Sequence, residues 1–172
     1  TSPFDAASAF NGEEASQLYE AEDWQAALAA FSTLADAEEN ERIAAAARLY
    51  AAECRMQLDD YGRARDEFES LLATHEPSTT PANLLFRAGE AARLAGDDRL
   101  ARERLSQFVG QHPDHAYAAY AHAYLGAIAT AAEDYAGAGR HSRQPLGQGA
   151  DPEHAQSIRS SLLPPYPRLG KT

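Results

Sequence analysis

The residues of this chain best able to do chemistry are six histidines and one cysteine. His112 and His115 stand three apart with Asp114 between them, and His122 follows, a grouping that invites a zinc reading. Zinc needs three or four convergent ligands in fixed geometry. Pro113 puts His112 and Asp114 in a turn rather than on one helical face, and His75, His141 and His154 have no partner at ligand spacing. Cys54 follows Ala51 and Ala52 in a helix-forming stretch, where a buried, inert thiol is expected; a lone cysteine also excludes an internal disulfide. The paired acids Glu13-Glu14, Glu38-Glu39, Asp59-Asp60 and Asp97-Asp98 fall at helix starts and turns, where capping and solvation account for them. A glycosidase dyad would instead need two carboxylates across a cleft, one held protonated. The sequence has no glycine-rich phosphate loop and no Gly-x-Ser-x-Gly elbow. The expectation is no enzyme, no catalytic residue, no metal and no cofactor.

The elements that carry these residues are helices. The 172 residues include 38 alanines against one valine and three isoleucines. Strands need β-branched residues to cover a pleated surface, whereas alanine and leucine are the strongest helix formers. No apolar run approaches the roughly 20 residues that span a bilayer, so direct membrane insertion is not expected. The net charge is −11 and is unevenly placed: residues 1–76 carry −12 and residues 77–172 carry +1. An acidic chain repels phosphate backbones, so nucleic acid is a poor partner. The acidic half reads equally as a solvated surface or as a docking patch for a basic partner. The chain opens at Thr1 with no charged-then-apolar leader, so a targeting segment is expected to lie outside this sequence.

The helices repeat. Asp23-Trp24 is followed by Ala27 and Phe31; 37 residues on, Asp60-Tyr61 is followed by Ala64 and Phe68. The next steps give Asp97-Asp98 with Ala101 and Leu105, then Asp134-Tyr135 with Ala138. Twelve residues before each alanine is a small residue (Ala15, Ala52, Gly89, Gly126), and seven after it are Leu34, Leu71, Phe108 and finally Pro145. Each unit reads as two helices joined at an acidic or glycine-containing turn. The acids there suit the N-cap of the second helix, whose first amides lack intrahelical partners. The small residue lets the second helix's alanine approach closely, and the bulky pair fills the space between. Asp98 takes the place that Trp24, Tyr61 and Tyr135 hold elsewhere, so the third hairpin is expected to be the least well sealed at residues 95–100.

The fold class expected is all-α: a right-handed α-α superhelix of about four hairpins plus a C-terminal capping helix, because a single hairpin cannot bury its apolar face alone. The units are read as 8–44, 45–81, 82–118 and 119–146. Helices are predicted near 4–21, 24–36, 40–58, 61–75, 79–95, 98–111, 114–132 and 135–143. A loop and capping helix follow over 147–163, where Asp151-Pro152 reads as an N-cap with proline at the first helical position. Residues 164–172 read as an extended tail.

The small–aromatic–Ala–Phe pattern on a helix–turn–helix unit resembles the tetratricopeptide repeat, with a period of 37 in place of 34. The stretch from Leu105 through Phe108, Pro113, Tyr117 and Tyr120 to Gly126 is similar to the repeat junction of bacterial cell-envelope proteins, the Tol-Pal-associated division coordinator and the β-barrel assembly lipoprotein among them. The family's early tryptophan is missing from every unit. The resemblance implies a non-enzymatic scaffold that docks a peptide or protein segment on a concave surface, in a bacterial periplasm or envelope, with the cytoplasm as the alternative. Carried onto this chain, the ligand-facing positions are Ala46, Leu49, Glu53 and Met56, then Asn83, Phe86, Glu90 and Arg93, then Tyr120. An apolar stripe edged by carboxylates implies an apolar ligand carrying basic residues. The opposing expectation is that Leu49 and Phe86 pack against a neighbouring helix. The family's lysine-built clamp for acidic C-termini cannot form, since the one lysine is Lys171. The alternative function is a structural module that self-associates or joins a larger complex without a groove.

Overall fold

The computed structural model describes the backbone of residues 3–132 and the side chains of residues 12–132. Over that range the chain is all helix, in seven elements: α1 (Pro3–Glu20), α2 (Trp24–Ala37), α3 (Glu41–Gln57), α4 (Tyr61–Leu72), α5 (Ala82–Leu94), α6 (Asp98–Gln111) and α7 (Ala118–Ala131). No strand occurs among the described residues. The expected helix at 135–143, the capping helix and the tail lie outside them.

The helices α1, α3 and α5 stop in the same way. Glu22, Asp59 and Gly96 are the only described residues with positive φ (59°, 60° and 83°), and they stand 37 residues apart. After each, the next amide reaches back five residues: Asp23 N–H to Leu18 O (3.0 Å), Asp60 N–H to Arg55 O (2.9 Å) and Asp97 N–H to Ala92 O (2.9 Å). This is the left-handed C-cap closure that satisfies otherwise orphaned carbonyls. The acid after it starts the next helix. Asp23 accepts from Ala26 N–H (3.2 Å) and Asp97 from Leu100 N–H (3.0 Å).

Three helix boundaries differ from the sequence reading by three or four residues, each for a local reason, and the others agree to within one residue. α4 ends at Leu72 rather than 75, because His75 N–H bonds Leu72 O in a turn ahead of Pro77. α5 begins at Ala82 rather than 79: Thr79 and Thr80 hydroxyls both donate to Glu76 O (3.2 Å each), and Pro81 disfavours helical backbone in the residue before it. α7 begins at Ala118 rather than 114, after a turn in which His115 N–H bonds His112 O and Ala118 N–H bonds His115 O.

The chain divides into two compact units, and the division along the sequence falls between Leu71 and Leu72. In the first, Ala15, Ala27, Phe31, Leu34, Tyr50 and Cys54 form one core. Phe31 and Tyr50 stack at 5.1 Å, and Tyr19 sets its edge against Trp24 (5.2 Å) and Tyr50 (5.2 Å). Edge-on and offset pairs of this kind suit the ring quadrupole. Ala64, Phe68 and Leu71 of α4 are likewise buried. In the second unit Ala101, Leu105 and Phe108 of α6 are fully buried with Leu85, Phe86, Ala121, Leu125 and Ile128. The recurring alanines and bulky apolar residues read from sequence over 27–108 are therefore core positions, while Trp24, Tyr61 and Asp98 at the turns are half-buried. At Gly89 the approach is close enough that an added Cβ would lie 2.7 Å from Leu105 Cγ and 3.3 Å from Arg104 Cβ. The small residue of that hairpin thus makes room for Leu105. The Gly126–Ala138 counterpart lies outside the described residues.

Candidate partner-binding face

In the first unit the expected ligand-facing residues come from α3. Leu49 and Ala46 are half-buried, Met56 is buried and Glu53 is buried to 1 % exposure. Cys54 beside them is fully covered, and burial, reinforced by the Glu53 charge, pushes its thiol up to about 12. It is no nucleophile. At the end of α3, Arg55 binds Glu67 of α4 through Nε (3.0 Å) and Asp60 through Nη1 (3.3 Å). Burial raises Glu67 above the usual carboxylate range, with the Arg55 hydrogen bond acting against it.

In the second unit the residues come from α5 and α7, and their settings differ. Asn83, Arg93 and Tyr120 are half-buried. Phe86 is 3 % exposed: its ring stacks on Tyr117 at 4.8 Å and leans on Phe108 at 5.4 Å, inside the core. Glu90 has no exposed surface. Its Oε2 accepts from Arg87 Nη1 (2.6 Å) and its Oε1 from the Tyr124 hydroxyl (2.9 Å). Both carboxylate oxygens are held, as a buried charge requires. Arg93 pairs with Asp98 across the α5–α6 turn (2.9 Å). The expected apolar stripe is therefore divided: Met56 and Phe86 are covered within the chain, while Leu49 and Tyr120 keep surface, and Glu53 and Glu90 stand below the surface rather than at its edge.

Two residues that hold Glu90 were not singled out in the sequence. Arg87 lies three positions before it on one helical face, a legible ion-pair spacing. Tyr124 lies 34 positions on, and no local rule brings it there. Among the described residues no group of three or more His, Cys, Asp or Glu could hold a metal, and no helix is long and apolar enough to cross a membrane.

A tetratricopeptide-repeat family model matches residues 46–78 and 84–115. These stretches cover most of the α3–α4 and α5–α6 hairpins. No curated protein matches the sequence. Among solved structures, the fold is similar to MamA from Desulfovibrio magneticus RS-1, in a chain from residue 41 to its end, at 18 % identity and TM-score 0.64, covering 88 % of this chain and 78 % of that one. It is similar to a MamA RS-1 ArsTM double mutant at 19 % identity and TM-score 0.65, covering 87 % and 78 %. A further MamA crystal structure gives 14 % identity and TM-score 0.66, covering 94 % and 76 %. The fold is that of tetratricopeptide-type helical repeats.

Proposed function

We propose that the chain is a non-enzymatic scaffold that binds a protein or peptide segment on the face formed by the first helices of its repeats. The observation that carries this is the coincidence of the two matched repeat stretches with hairpins whose consensus positions are buried. In such repeats the consensus builds the core and leaves the remaining helix surface for recognition. The four-unit division, 8–44, 45–81, 82–118 and 119–146, belongs to this reading. So does its place in a bacterial envelope assembly, which rests on the likeness of residues 105–126 to envelope repeat proteins. The side chains best placed to touch a ligand are those that keep surface: Leu49 on α3, and Asn83, Arg93 and Tyr120 on α5 and α7. Net negative charge favours an apolar segment with basic residues.

The test is a panel of synthetic apolar peptides bearing arginine or lysine, with glutamate-bearing counterparts, titrated against the chain and its Leu49→Ala and Tyr120→Ala variants. Preference for the basic peptides, weakened by either substitution while helicity at the assay temperature stays unchanged, supports the reading. Equal binding of acidic peptides overturns it. The uneven charge favours self-association as the second reading, the acidic half of one copy meeting the arginine-bearing half of another. An oligomer that dissociates with added salt in size-exclusion chromatography would support that reading, because screening weakens exposed charge pairs.

A further inference from the structure

The turn between α6 and α7 is closed by an imidazole where proteins ordinarily use a side-chain oxygen. His115 Nδ1 accepts the Tyr117 backbone N–H at 3.1 Å. The same chain shows the usual form at the start of α3, where Asn40 Oδ1 accepts the Arg42 N–H, also two residues on and also at 3.1 Å. An amide oxygen accepts at any pH. An imidazole Nδ1 accepts only while that nitrogen is unprotonated, and in His⁺ both ring nitrogens are donors.

We propose that the α6–α7 junction is a proton-sensitive joint: protonation of His115 removes the acceptor for the Tyr117 amide and loosens the start of α7. The surroundings sharpen the effect. The His115 ring lies edge-on to Phe108 at 5.3 Å and beside Tyr117 at 5.2 Å, and neither ring offers it a counter-charge. The His112 ring is 6.5 Å away, and its Nε2 is buried without a hydrogen-bond partner. The titratable groups at the joint are thus His112 at the end of α6, the exposed Asp114 in the turn and the Tyr117 phenol. On α5, Phe86 packs against Phe108 and Tyr117, the two rings that flank His115, while Arg87 and Glu90 are paired with each other. Burial, with His112 adding to it, holds His115 below the ordinary histidine value of 6.5. The unfolded chain therefore binds the proton more readily than the folded one. The joint's contribution is complete above the ordinary value and declines as pH falls below it, levelling off beneath the folded-state value. Tyr117 carries the consequence into the core, since its ring is buried and stacked on Phe86.

The chain and its His115→Asn variant, which substitutes the Asn40 solution, are melted between about pH 7.5 and about pH 5.5, the range in which histidine changes charge. The expected result is a larger acid-side fall in melting temperature for the parent than for the variant. In the parent, the hydrogen-exchange protection of the Tyr117 amide, corrected for intrinsic rate, should fall about threefold or more as the His115 ring titrates by NMR. Equal acid sensitivity of parent and variant overturns the proposal. Constant Tyr117 protection through the His115 titration overturns it as well, and this readout needs only the parent chain should the variant fail to fold.

Discussion

Arg93 and Asp98 face each other across the α5–α6 turn at 2.9 Å, and they stand two repeat lengths after Tyr19 and Trp24, whose rings meet edge-on at 5.2 Å across the α1–α2 turn. One structural position is thus closed by an aromatic pair in the first hairpin and by an ion pair in the third. The missing aromatic at Asp98 is a substitution of one contact for another rather than an open seam. The two contacts are not equal, because a partly exposed ion pair is worth little and an aromatic pair contributes beyond its buried area.

Asp98→Tyr alone therefore exchanges the ion pair for a ring with no partner ring, and stability should change by less than about 0.5 kcal/mol. Arg93→Tyr with Asp98→Trp, which rebuilds the first hairpin's pair, should stabilise by about 0.5–1.5 kcal/mol with clear non-additivity. Denaturant unfolding of the single and double variants measures both. Additive single effects would show that the two side chains do not meet.

The left-handed caps give a second comparison. Gly96 adopts positive φ freely, whereas Glu22 does so against the clash between its Cβ and backbone. Glu22→Gly should raise stability by roughly 0.5–1 kcal/mol, the relieved clash exceeding the added freedom of the unfolded chain. Gly96→Ala should lower it by about 1 kcal/mol for the same reason, although nothing lies within 4 Å of the new Cβ. Thermal melts of the two variants should move in opposite directions.

Gly89→Ala tests the close approach of α5 and α6. The new methyl meets Leu105 Cγ at 2.7 Å and Cδ2 at 2.8 Å in a fully buried site. Overpacking of this kind costs about 1–3 kcal/mol and outweighs the better helix propensity of alanine. Adding Leu105→Val should recover part of the loss, and a cycle without coupling would deny the contact.

Phe86 and Tyr120 separate core from surface on the proposed face. Phe86→Ala should destabilise by about 3–5 kcal/mol, the usual cost of emptying a buried aromatic site. Tyr120→Ala, from a half-buried position, should cost about half as much or less. Tyr124→Phe should cost about 1.5–3 kcal/mol by removing a hydrogen bond to the buried Glu90 carboxylate. Calorimetry that ranked Tyr120→Ala with Phe86→Ala would move Tyr120 into the core.

Much of the fold is legible in the residues alone. The recurrence of Ala27, Ala64 and Ala101, of Phe31, Phe68 and Leu105, and of the acid after each turn carries the hairpins, because a repeating unit must bury the same positions each time it recurs. The cap residues Glu22, Asp59 and Gly96 share that register, although glutamate and aspartate do not announce positive φ as glycine does. The facing of individual side chains is another matter. Phe86 goes inward because Tyr117, at the end of a proline-containing turn, lays its ring on it; Glu90 is buried because Tyr124, 34 residues on, and Arg87 supply its hydrogen bonds. A helix turns 100° per residue, so periodicity places a stripe only to within a residue or so. Which edge of the stripe is covered is set by partners from other helices, and only the packed tertiary structure brings those partners together.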